Sequence, residues 1–164
     1  DKETVERAHR AKRHGRSSGT QAGEFVREEI HKIRRGEHGA RSAKQAIAIG
    51  LSKARRAGVK LPPPGKGRVS KRTRESARRA WEVGQGKRAP RAPSAKRSRA
   101  IKRALKREGR SAASRAALSR QARSAARGRT AAERSAAARK AARTKGPAER
   151  SAAARKAART RAAA

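Results

Sequence analysis

The sequence predicts an all-α protein: a small N-terminal helical hairpin module, then a long basic, partly disordered tail of helical repeats. Three observations predict it. Apolar residues recur at helical spacing in two neighbouring segments, about 21–35 and 42–57. Large apolar residues are concentrated before residue 64, and after Val83 only Ile101, Leu105 and Leu118 remain, so only the first part is expected to hold a core. Finally, the twelve residues ERSAAARKAART occur twice, at Glu133–Thr144 and Glu149–Thr160, with Ala as their only apolar residue.

Within the module, taken as residues 1–61, the first predicted helix carries Phe25, Val26, Ile30 and Ile33 on one face. Glu24, Glu28 and Glu29 lie early in it, where the helix macrodipole favours negative charge, and Gly36 ends it. The second helix opens at Ser42, with Gln45 three residues on as a capping box. It carries Ala43, Ala46, Ile47, Gly50, Leu51, Ala54 and Ala57 at helical spacing up to Gly58. Phe25, Ile30, Ile47 and Leu51 are the expected core. Two amphipathic helices joined by GEHGA make an αα-hairpin, or the outline of a helix-turn-helix. A homodimer through this hairpin is the expected mode of self-association.

Residues 62–93 read as Pro/Gly linkers around a basic helix at about 70–83. Pro62, Pro63 and Pro64 followed by Gly65 and Gly67 give the clearest boundary, and Trp81 is expected to dock the basic helix onto the hairpin. Residues 94–164 form the Ala/Arg/Lys-rich tail, with helices at about 94–108 and 111–127 and then the repeats, whose period is sixteen residues. Thr130 with Glu133 reads as a capping box, and Gly146-Pro147-Ala148-Glu149 places Pro in a first helical turn.

Charge decides the functional reading. The 49 Lys and Arg against 12 Asp and Glu leave a net charge of +37, of which +28 lies in residues 65–164. A chain this basic repels itself until anions neutralise it, and nucleic-acid phosphates are the obvious source. Phe25 and Trp81 are too few to stack bases, so contacts should go to phosphates. The expected contacts are Arg134, Arg139, Lys140, Arg143, Arg150, Arg155, Lys156 and Arg159 in the repeats, with Lys102, Arg103, Lys106 and Arg107 upstream. At about 100° per residue, the last three cations of each repeat span roughly a third of the helix circumference, with the first nearly opposite.

The stretch TQAGEFVREEIHKIRRGEHGARSAKQAIAIGLSKARRAGVKLPPP, and above all KQAIAIGLSKA at Lys44–Ala54, resembles a bacterial family of small basic proteins with a domain of unknown function. That resemblance covers about Thr4 to Pro64 and implies no catalytic residue or ligand. The Ala/Lys/Arg tail resembles those of bacterial linker-histone-like and extended nucleoid proteins.

The expected function is non-sequence-specific binding and compaction of double-stranded DNA, histone-like and nucleoid-associated. The alternative is an RNA-binding or ribosome-associated basic protein, and a third reading is a protein-interaction module whose tail only localises it. No enzyme is expected, because no nucleophile has an activating neighbourhood. Neither cofactor nor metal is expected: there is no Cys, and His9, His14, His31 and His38 lack the four-residue spacing of a helical metal site. The longest apolar run, Ala46–Leu51, is far below the roughly 18–20 residues of a membrane span. A cytoplasmic, nucleoid location is expected, and since the chain starts at Asp1 rather than Met, leading residues with any targeting information are expected to lie outside it.

Overall fold

Every regular element among the described residues is helical: α1 (Lys2–Arg13), α2 (Ser18–Arg35), α3 (Ala43–Arg56), α4 (Lys71–Gly84), α5 (Ala95–Arg107), a 3₁₀ turn (Ser111–Ala113), α6 (Arg115–Arg127) and α7 (Ala131–Ala162). The computed structural model describes residues 1–162, apart from the Lys145 side chain. By contacts the chain divides into two units, Asp1–Gln121 and Ala122–Ala164.

In the first unit α2 is fixed at both ends by its own sequence. The Ser17 hydroxyl accepts from the Thr20 N–H at 3.3 Å. Gly36 takes φ +80, which lets its N–H reach the Ile33 carbonyl and the Glu37 N–H reach that of Lys32. These two bonds form a Schellman closure, and only Gly adopts that φ without a steric cost. At the start of α3 the Ser42 hydroxyl accepts from the Gln45 N–H at 3.2 Å, while Gln45 Oε1 accepts from the Arg41 N–H at 2.8 Å, one residue before the position a capping box uses.

The faces meet through small residues. Ala43, Ala46, Gly50 and Ala54 are the buried stripe of α3, whereas Ile47 and Leu51, expected as core, are only half-buried. The cause is the closeness of α2: a Cβ on Gly50 would stand 2.6 Å from Val26 Cα. Backbones this close leave room for Ala and Gly and displace larger side chains to the flanks. Phe25, Ile30 and Ile33 are buried as the 3.6-residue period requires.

A helix the sequence reading did not assign, α1, packs on α2 with Thr4 and Ala8 buried. Arg7 holds it there, donating to Glu3 Oε1 at 2.6 Å and to Glu24 Oε2 at 3.2 Å, with Glu28 Oε2 at 3.4 Å. Such pairing across 17 and 21 residues has no local signature.

The core has two parts, and the second reaches beyond the hairpin. Ala8, Ala22, Phe25, Ala54 and Val59 form one cluster, with Leu51 and Leu61 against it. Ile30, Ile33, Ala40 and Ala46 form the other, completed by Ala112 and Ala113 and flanked by Leu118. Residues assigned to the tail therefore close the module. They are held by backbone: the Gly39 N–H donates to the Leu105 carbonyl at 2.8 Å and the Ala40 N–H to that of Gly109 at 3.2 Å. Arg34 Nε donates to the Ala113 carbonyl at 3.0 Å.

The Pro62–Pro64 run begins pinned to α3 rather than free, because Arg55, itself buried, donates to the carbonyls of Leu61 and Pro62 at 3.2 Å each. Helix α4 docks on α3 through Ala77, Ala80 and Gly84. Trp81, expected as the docking residue, is instead half-buried with the Lys87 ammonium 5.0 Å from its ring centroid, a cation–π contact.

The partial disorder expected of the tail is corrected by the structure, which forms α5, α6 and α7 as helix. Local terms account for it. Ala has the highest helix propensity, and each segment carries its own start signal. Ser94 accepts from the Arg97 N–H, Ser114 accepts from the Ala117 N–H, and Thr130 and Glu133 exchange two bonds at 2.9 and 3.2 Å. Ser114 also breaks the expected 111–127 helix, its backbone extended at φ −68, ψ 153.

Two carboxylates make the first unit acid-sensitive. Burial alone would raise the Glu28 carboxyl, but the hydrogen bond from Arg35, together with the charges of Arg35, Lys32 and Arg7, holds it below its usual range. The Arg35 hydrogen bond likewise lowers Glu37. A depressed folded value contributes stability that is complete above the unfolded value of about 4.3 and is lost as pH falls through the folded value. The melting midpoint should therefore hold between about pH 7 and 5 and fall below about pH 4. Arg35→Ala should shrink that acid-dependent loss; an unchanged acid limb would show that these pairs do not set it.

Candidate nucleic-acid interface

Along α5 the side chains of Lys102, Arg103, Lys106 and Arg107 are all exposed. At about 100° per residue they fall within an arc of about 140°. The same arithmetic places Lys96 and Arg99, also exposed, inside that arc. The sequence reading missed these two although the signal was present: counting phase from Ser94 rather than from adjacent pairs brings six cations to one face. Near its end, Lys106 joins Arg110, Gly36, Glu37 and His38 around a cleft of about 660 Å³.

Helix α7 carries both repeats, and they build alike. In each, the Thr side chain closes on its own helix, Thr144 to the Lys140 carbonyl at 2.9 Å and Thr160 to that of Lys156 at 3.0 Å. Arg139, Lys140 and Arg143 are exposed, as are Arg155, Lys156 and Arg159. The fourth cation of each repeat behaves differently. Arg134 Nη1 donates to the Arg129 carbonyl at 2.6 Å, and Arg150 Nε to the Gly146 carbonyl at 3.1 Å. These two arginines turn back on the helix start, so each repeat presents a triplet, not a quartet.

Unlike these outward cations, several of those in the first unit are paired. Arg7, Lys32, Arg35 and Lys53 each meet a carboxylate, and Arg78 and Arg88 share Glu82. Glu29 shows how fully the pairing reaches inside: almost wholly buried, it accepts from Lys53 Nζ at 2.5 Å. Its other oxygen lies 3.3 Å from His38 Nε2 without a hydrogen bond. Among the described residues no ion pair with a carboxylate occupies the α5 face or the α7 triplets. Exposed guanidinium and ammonium groups held on helices can meet phosphate oxygens, Arg in bidentate fashion.

His9, His14 and His31 are exposed, while His38 is half-buried, its Nδ1 3.0 Å from the Gly39 carbonyl. Among the described residues no three of His, Asp and Glu gather in an arrangement able to hold a metal ion, and no helix is long and apolar enough to cross a membrane.

Fold and surface together define an all-α protein with outward cations on a helical scaffold. A domain of a family of unknown function (DUF6496) is found at residues 13–66, from the last residue of α1 through α2 and α3 to just past the prolines. No curated protein and no solved structure matches the chain.

Proposed function

We propose that the protein binds double-stranded DNA through phosphates, with little sequence preference, and compacts it by neutralising its charge, in the manner of a histone-like nucleoid protein. The observation that supports this most is the split between paired and unpaired cations. In the first three helices Arg7, Lys32, Arg35 and Lys53 pair with carboxylates and Arg34 and Arg55 donate to backbone carbonyls, whereas the α5 face and the α7 triplets leave theirs in solvent. Solvated charges on an exposed face contribute nothing to folding and repel one another. A polyanion relieves that repulsion and gains released counterions.

On this reading Lys96, Arg99, Lys102, Arg103, Lys106 and Arg107 contact phosphate from one helix, and Arg139, Lys140, Arg143, Arg155, Lys156 and Arg159 from the other. Arg134 and Arg150 order the helices that carry the triplets. Dimerisation through the hairpin is not required, since α1, α4 and the 112–118 segment cover the faces it would use.

Competition binding tests the reading. A labelled duplex bound to the intact protein should be displaced equally by its own sequence and by a scramble, and less well by structured RNA of equal charge. Stronger displacement by the RNA would shift the function to the RNA-binding alternative. A hundredfold preference for one DNA sequence would make the hairpin the reader instead.

A further inference from the structure

We infer that Gly146 and Pro147 form a hinge that lets the two repeats of α7 grip one duplex together, an inference that rests on the duplex-binding reading above. Helical phase would otherwise keep the two triplets apart. Identical residues sixteen positions apart on an unbroken helix are rotated by about 160°, so the triplet Arg139, Lys140, Arg143 would face nearly opposite to Arg155, Lys156, Arg159. A rigid rod with that pattern presents one triplet to a duplex and turns the other away.

The chain does not form that rod. Gly146 adopts φ 65, ψ 171 inside α7, a region essentially closed to residues with a Cβ. Pro147 makes the break obligatory. It lacks an N–H for the helical ladder, its ring collides with the carbonyl four residues back, and it disfavours helical backbone at the residue before it. After the break the helix restarts with Pro in its first turn, and Arg150 fastens the restart by donating to the Gly146 carbonyl at 3.1 Å. Each repeat is thus a separately capped arm, Thr130 and Glu133 starting the first and Gly146-Pro147 the second.

With the phase relation released, the second triplet can rotate onto the phosphates that the first already occupies. The second contact becomes intramolecular and gains the effective concentration set by a two-residue connection. The partner is a rod-like polyanion with phosphates on a repeating path, namely a DNA duplex. A single isolated anion would need only one arm.

Phase variants of the full chain test this at constant charge, with a duplex of about 30 base pairs as probe. Gly146→Ala with Pro147→Ala fuses the arms, fixes the triplets about 160° apart and should raise helix content by circular dichroism. It should bind the single duplex roughly tenfold more weakly, with a salt slope shallower by about 3, because one triplet is lost from the contact. A second variant adds two alanines after position 147 of the fused helix. Eighteen residues make about five full turns, so both triplets return to one face and binding should recover to within about twofold. Equal affinity and slope for the intact, fused and rephased proteins would overturn the hinge while leaving duplex binding in place. If removing residues 129–164 changes nothing, the duplex-binding reading of α7 falls, and the hinge with it.

Discussion

Removing residues 129–164 should weaken duplex binding by a hundredfold or more at low salt and flatten its salt dependence, the largest effect expected of any change to this chain. The deleted segment holds eleven Lys and Arg against two Glu, with both exposed triplets of α7. With the twelve cations of the α5 face and the α7 triplets engaged, log K for the intact protein should fall against log salt with a slope near −11, since each contact on B-DNA contributes about −0.9. Losing the six triplet contacts should bring the slope to about −5, the remainder coming from α5. Fluorescence anisotropy across a salt series reads both quantities. The control is a module variant that loses its fold, for which Ile33→Asp serves because Ile33 is fully buried in the core. Its slope should stay close to that of the intact chain. A deletion variant with unaltered slope would place the contacts in the first unit.

A pair of glycines in α2 and α3 should respond to the same substitution with opposite signs. Gly50 meets the backbone of α2, where an added Cβ would lie 2.6 Å from Val26 Cα and 2.9 Å from Val26 N. Neither atom can move without separating the two helices, so Gly50→Ala should destabilise the first unit by about 2 kcal/mol and Gly50→Val by about 3 or more. Gly23 has nothing within 4 Å of its Cβ position. There Gly23→Ala removes only the entropic cost of glycine in a helix and should stabilise by about 0.5–1 kcal/mol. For a unit of this size the gap between the two alanine variants should be roughly 10 °C in melting midpoint. Equal shifts would mean that α2 and α3 do not approach as closely as Gly50 implies.

The sequence by itself determined α2, α3, α4 and the charge. Helix α2 runs over Ser18–Arg35 where 21–35 is expected, α3 over Ala43–Arg56 for 42–57, and α4 over Lys71–Gly84 for 70–83. All three are fixed by local signals: a 3.6-residue apolar period, a Ser cap and a terminating Gly or turn. The Thr130–Glu133 capping box and the Pro147 helix restart follow from the same short-range chemistry. So does the exposure of Arg139, Lys140, Arg143 and their repeat partners, because a helix with only Ala as its apolar residue has no face to bury.

Tertiary structure alone decided what closes the core and which cations are already engaged. Ala112 and Ala113 look like any other alanines of the tail, yet they complete the cluster around Ile33 because Gly39 and Ala40 hydrogen-bond the backbone at Leu105 and Gly109. Arg55 reads as another basic residue until it is seen buried against the Leu61 and Pro62 carbonyls. Arg7 is likewise indistinguishable in sequence from a surface arginine, although it ties α1 to Glu24 and Glu28. The separation differs, from six residues for Arg55 to nearly seventy for Gly39 and Ala40, but each contact depends on the path of the chain between its partners. Helix propensity, capping and phase act over a few residues and are written in their spacing, whereas a backbone contact between segments some 70 residues apart depends on where the intervening chain has gone.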